Sequence, residues 1–158
     1  MNTVIKVGAI LQNEHGQILL IKERYEKSGE LKWNIIKGTY DNAGETLADC
    51  VRREIKEEAG IAVDIVTLRQ IYHYGNLADT AKILFIFFAD VSNKNVSLPA
   101  IQDQKKRGED IAGFEWFSRE DLKNISEQDF IALYAFMAVQ DIDSMLDNAP
   151  VRIVNFTK

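Results

Sequence analysis

The sequence predicts an α/β fold in which a mixed β-sheet is covered by helices on both faces. Three observations lead there. Strand-like and helix-like stretches alternate as strands, helix, strands, helix. The run Ala81–Val91 is almost continuously apolar, as expected of a central strand. A chain of 158 residues is also the size of one domain, 1–158, with room for a real core.

Each element has its own signal. Thr3–Leu11 carries Val4, Ile5, Val7 and Ile10, and the turn signal Asn13-Glu14-His15-Gly16 follows it. Gln17–Ile21 then resumes as the second arm of a hairpin, and Trp33–Ile36 reads as a short apolar strand. A helix opens at Gly44-Glu45 and ends near Gly60, a residue suited to the left-handed position after a helix. Leu47, Ala48, Val51 and Ile55 form its buried stripe, with the glutamates pointing elsewhere. Ile61–Tyr74, Ala81–Val91 and Gly113–Phe117 read as further strands. Ser92–Gly108 is long for a simple connection and reads as an irregular, functional loop. Ser126 to about Asp147 reads as one helix, with Phe130, Leu133, Tyr134 and Met137 on one face and Ile131, Phe136, Val139 and Ile142 on the other. Two apolar faces mean a helix wedged against the sheet, or a contact between two copies in a homodimer.

Composition narrows the function. Hydrophobic residues make up 46% and charged residues 27%, ordinary for a globular protein. The net charge of −5 argues against a general nucleic-acid or anionic-membrane surface. No apolar stretch approaches the ~20 residues that span a bilayer. A single cysteine, Cys50, fits a reducing cytoplasm.

Glu54, Glu57 and Glu58 carry the chemistry. At about 100° per residue, Glu57 and Glu58 fall within roughly 60° of the direction of Glu54. Three like charges that close destabilise a helix unless a cation compensates them. Carboxylate oxygens suit hard divalent ions such as Mg2+ or Mn2+, which bridge to substrate phosphates. Read alone, the trio is better explained by a solvated acidic face.

The surrounding pattern decides between them. From Glu45, seven residues lead to Arg53-Glu54-Ile55-Lys56-Glu57-Glu58-Ala59-Gly60-Ile61. This resembles the signature of the Nudix hydrolases, matching every defined position from Glu45 to Ile61. One position departs: the leading glycine of the signature falls on Thr39, with Gly38 one place early. The resemblance implies an α/β/α sandwich that hydrolyses a nucleoside diphosphate linked to a further group, with Mg2+ or Mn2+ as cofactor. It makes Glu54, Glu57 and Glu58 the metal ligands, with Glu54 or a nearby carboxylate orienting or deprotonating water. The backbone at Gly38 would assist the metal, and Arg53 would pair with a glutamate of the signature to hold its rotamer. Glu45 reads equally as a capping residue or a catalytic one. A further catalytic acid would come from Glu109 or Asp110, with Asp103 behind them. Tyr72, Tyr74 and Lys37 are the candidate contacts to a nucleotide-type substrate. The competing reading is a domain of the same fold that senses a nucleotide without turnover.

Overall fold

The protein is described by a computed structural model over residues 1–76, 78–147 and 149–156. The described residues contain the strands β1 (Asn2–Gln12), β2 (Ile18–Arg24), β3 (Leu31–Asn34), β4 (Ile36–Thr39), β5 (Thr67–Asn76), β6 (Thr80–Asp90), β7 (Ile111–Phe117) and β8 (Arg152–Phe156). The helices are α1 (Leu47–Ala59), α2 (Ile101–Arg107), α3 (Arg119–Lys123), α4 (Leu133–Gln140) and α5 (Ile142–Leu146). The strands form one mixed sheet, ordered β3-β2-β1-β6-β5-β8, with β4 also on β1 and β7 on β2. At its centre β1 runs parallel to β6 from Asn2↔Thr80 to Gln12↔Asp90. A parallel pair joined by a long crossover needs both faces covered, which explains the apolar run of β6.

Alternation along the strands sends side chains to two separate cores. Val7, Ala9, Leu11, Leu19 and Ile21 pack with Cys50, Val51, Ile55 and Ala59 of α1. Ile10, Ile18, Leu20, Leu84 and Ile86 pack with Tyr134, Ala135, Ala138 and Val139 of α4, and with Ile142 and Met145 of α5. Each wholly buried Leu or Ile contributes about 1.5–3 kcal/mol, so both helical layers are anchored by the sheet. The α/β/α sandwich expected of the chain is what it forms.

Several expectations needed correction. The strand read as Trp33–Ile36 is two, because the chain leaves β2 and joins β1. Asn34 makes the switch, its side-chain oxygen accepting from the Ile35 N–H at 3.0 Å. Strand β5 begins at Thr67 and not Ile61. The segment 92–108 is not wholly irregular, since it contains α2. The helix expected from Ser126 to Asp147 is broken into a 3₁₀ turn at Glu127–Asp129, then α4 and α5. Phe130 instead bridges to Trp33, and the Ile131 N–H donates to the Trp33 carbonyl at 3.0 Å. Most of the apolar residues of that segment are used inside the chain, which favours the wedged helix over a dimer contact. Strand β8, unforeseen in the sequence, adds to the edge at β5.

Candidate metal centre

Helix α1 presents the acidic groups, and its ends are closely specified. Thr46 is the N-cap: its hydroxyl accepts from the Asp49 N–H at 3.1 Å, and the Asp49 carboxylate accepts from the Thr46 N–H at 3.3 Å. Glu45 therefore stands before the helix and does not cap it. Gly60 ends the helix at φ 69°, and a β-carbon there would also strike the Ser97 carbonyl. Between them the buried face holds Cys50, Val51, Glu54, Ile55, Glu58 and Ala59. Two glutamates thus share the apolar stripe, contrary to the expectation that all three point away.

Glu54 is 6% exposed and Glu58 2%. Gly38 of β4 makes room for Glu54, since a β-carbon on residue 38 would overlap its carboxylate. Gly38 is thus needed for space, not for an unusual φ. Thr39 continues β4 opposite Lys6 without a positive φ, so the displaced glycine of the signature strains nothing.

Arg53 holds the acids in place. Its Nε and Nη2 donate to the two oxygens of Glu45 at 2.8 and 3.2 Å. Its Nη1 reaches Glu54 at 2.6 Å and Glu57 at 3.4 Å. The planar guanidinium matches this fork, as an ammonium would not. The Glu45 carboxyl is held below its usual range, chiefly by the hydrogen bonds from Arg53. Glu54 moves the other way: burial, reinforced by Glu57 and Glu109 and opposed by Arg53, pushes it up to about 7.

The fourth acid arrives from the loop after α2. Glu109 is gripped by Arg107, whose Nε and Nη2 donate to its two oxygens at 2.9 and 3.0 Å. Glu54, Glu57 and Glu109 each offer an oxygen within 4.8 Å of the others. Three hard oxygen donors converging on one point, beside a glycine that clears the space, fit a divalent cation. Glu58 is not of this trio. Its carboxylate accepts the Lys37 N–H at 3.2 Å, and burial raises its pKa well above the usual range. Asp110 also turns away, with Oδ2 3.3 Å from Arg24 Nε. Asp103 instead pairs with Lys106 on the surface.

The trio opens into a cleft of about 380 Å³. Lys6, Lys37 and Arg107 stand there among the acids. Lys37 Nζ lies 3.3 Å from Glu23, whose other oxygen accepts from Asn34 at 3.0 Å. Burial works to lower the Lys37 pKa, but Glu58 and Glu23 outweigh it and hold the ammonium above its ordinary range. Tyr72 and Tyr74 do not line this cleft. Tyr72 is wholly buried and donates to Asp141 at 2.9 Å, while Tyr74 is 5% exposed and stacks on Phe156 at 5.0 Å. A base has no access to the Tyr72 ring.

A family model of the NUDIX domain matches residues 2–136. The chain belongs to the Nudix family. It is 30% identical over 126 residues to a Caenorhabditis elegans protein named nudix hydrolase 1, covering 77% of this chain and 31% of that one. It is 32% identical over 88 residues to a mouse protein named 8-oxo-dGDP phosphatase, covering 56% and 25% respectively. The chain therefore spans about a third or less of these two relatives. A solved NUDIX hydrolase from Nitrosomonas europaea has the same fold, with TM-score 0.70 at 19% identity over 90% of both chains. No helix of the described residues of this Nudix chain is long and apolar enough to cross a membrane.

Sequence reasoning missed Lys6 and Asp41, which both line the cleft, and Lys6 is the one that adds charge of the sign a phosphate needs. The signal for Lys6 was present but local, a charged residue amid the apolar alternation of β1. Nothing nearby in the chain announced that β4 and β6 would bring Lys37 and Lys82 beside it.

Proposed function

We propose that this Nudix chain is a metal-dependent pyrophosphohydrolase, cutting the diphosphate linkage of a nucleoside diphosphate derivative. The observation that carries the reading is the convergence of Glu54, Glu57 and Glu109 beside Gly38, in a cleft that also holds basic side chains. Mg2+ or Mn2+ is the ion that suits this oxygen donor set, with Glu58 held behind it by the Lys37 amide. When bound, such an ion neutralises phosphate oxygens and lowers the pKa of a coordinated water.

The side chains of the chain itself do the rest. Arg53 fixes the rotamers of Glu45 and Glu54, so that the carboxylates meet the ion already oriented. Arg107 does the same for Glu109 and, lying 3.8 Å from Glu57, links the two acids. A carboxylate of the trio that is not engaged by the ion accepts the proton of the attacking water. Lys37, steadied by Glu23, meets the negative charge of the substrate. The single, buried cysteine supports a cytoplasmic setting.

The test is a panel of nucleotide sugars, dinucleoside polyphosphates and nucleoside di- and triphosphates, assayed with Mg2+, with Mn2+ and with EDTA. Turnover that needs the ion and falls by at least about a hundredfold in Glu57→Gln is the expected result. Turnover that persists in EDTA, or nucleotide binding with no turnover of any compound, would overturn the reading.

A further inference from the structure

Register sets three lysines on one face of three neighbouring strands. Lys37 of β4 lies opposite Gly8, and Lys6 of β1 lies opposite Thr39 on one side and Leu84 on the other. Lys82 of β6 lies opposite Val4 and, across the next pair, opposite Tyr74. Partners directly opposite share a face, so Lys37, Lys6 and Lys82 form a diagonal basic row. The row starts at the carboxylate cleft, which Lys37 and Lys6 both line, and ends with Lys82 Nζ 6.0 Å from the Tyr74 ring centre.

The three differ in how their charge is met. The Lys37 ammonium pairs with Glu23 at 3.3 Å, and the nearby Glu58 carboxylate also favours its charge. Among the described residues, neither Lys6 nor Lys82 has a carboxylate within 4.0 Å, although the chain is acidic overall. Lys6 is half-buried, and burial first, then the ammonium groups of Lys37 and Lys82, hold it below the ordinary lysine range. Holding Lys6 and Lys82, neither paired with a carboxylate, beside the Lys37 ammonium is unfavourable in the free protein, and an anion laid along the row would relieve it.

We propose that the Lys37–Lys6–Lys82 row binds a second anionic group of the substrate, beyond the diphosphate at the carboxylate trio. The reacting compound then carries a further anionic group beyond the two phosphates joined at the cut, as a nucleoside triphosphate or polyphosphate does, where a nucleotide sugar carries a neutral sugar. This rests on the hydrolase reading above and names the substrate class for the same cleft.

Lys6→Met keeps the apolar stem and removes the charge, and Lys82→Met does so at the far end of the row. With dGTP as the charged probe and UDP-glucose as the one with a neutral sugar, kcat/KM of Lys6→Met on dGTP should fall about tenfold or more, mainly through KM. UDP-glucose should change by less than about twofold, and Lys6→Arg should retain dGTP turnover. Equal losses on both compounds, no loss on either, or a wild type that prefers UDP-glucose would overturn the proposal. Should the wild type cleave neither compound, the hydrolase reading is decided by the full panel above. Calorimetric binding of inorganic tripolyphosphate in Mg2+ then still tests the row. Affinity lowered about tenfold in Lys6→Met and restored in Lys6→Arg supports it, and equal affinity in all three overturns it.

Discussion

A β-carbon at position 38 would fall on the carboxylate of Glu54, so the strand residue and the helix residue share one space. The packing of α1 on β4 therefore depends on a missing side chain. Gly38→Ala must push Glu54 aside or part the helix from the strand. Metal affinity, read by calorimetry with Mn2+, should fall by about 10- to 100-fold. A variant that binds the ion as the wild type does would show that Glu54 is not a ligand.

The metal-free protein should lose stability as pH rises. The Glu54 pKa goes from an ordinary 4.5 to about 7 on folding, so the folded chain keeps a proton that the unfolded chain releases. Stability is then highest at or below about pH 4.5, as far as this group is concerned, and declines up to about pH 7. The loss is on the order of 3 kcal/mol, and the buried Glu58 adds to it with the same sign. Denaturant titrations at pH 5 and pH 8 in EDTA measure it. Glu54→Gln should be more stable than the wild type at pH 8, and Mg2+ should narrow that gap by supplying the missing charge. A wild type equally stable at both values, matching Glu54→Gln, would refute the assignment.

Arg53→Lys keeps the charge but not the fork. Glu45 and Glu54 cannot both be held by one ammonium in the geometry of the guanidinium. We expect stability to drop by about 1–2 kcal/mol and turnover by about 10- to 100-fold. Unchanged turnover would make Arg53 a stabilising residue without influence on the acids.

Tyr72→Phe separates core from site. The Tyr72 hydroxyl lies inside the fold on Asp141, together with Gln70 Nε2 at 2.8 Å from the same carboxylate. Its removal should cost about 1–3 kcal/mol in thermal or chemical unfolding, with kcat/KM unchanged. A selective rise in KM would return Tyr72 to the substrate cleft.

The sequence by itself determined the elements that depend on near neighbours. The alternation Val7, Ala9, Leu11 against Ile10 sorted β1 between two cores. Of the expected stripe of α1, Val51 and Ile55 are buried, while Leu47 and Ala48 are only partly so and Cys50 and Ala59 take their place. Glu54 and Glu57 were legible for the same reason, since one helical turn fixes their separation. What depends on distant partners was not legible. Glu109 and not Asp110 joins the trio, because Arg107 grips one while Arg24 draws off the other. The expected long helix broke where Phe130 met Trp33, and its periodicity carried no trace of that partner. Tyr72 went inside once Asp141 arrived to meet its hydroxyl. Lys6 found Lys37 and Lys82 through strand register alone. Periodicity states which way a side chain faces; only tertiary structure decides what it faces, because pairing energies are settled between segments far apart in the chain.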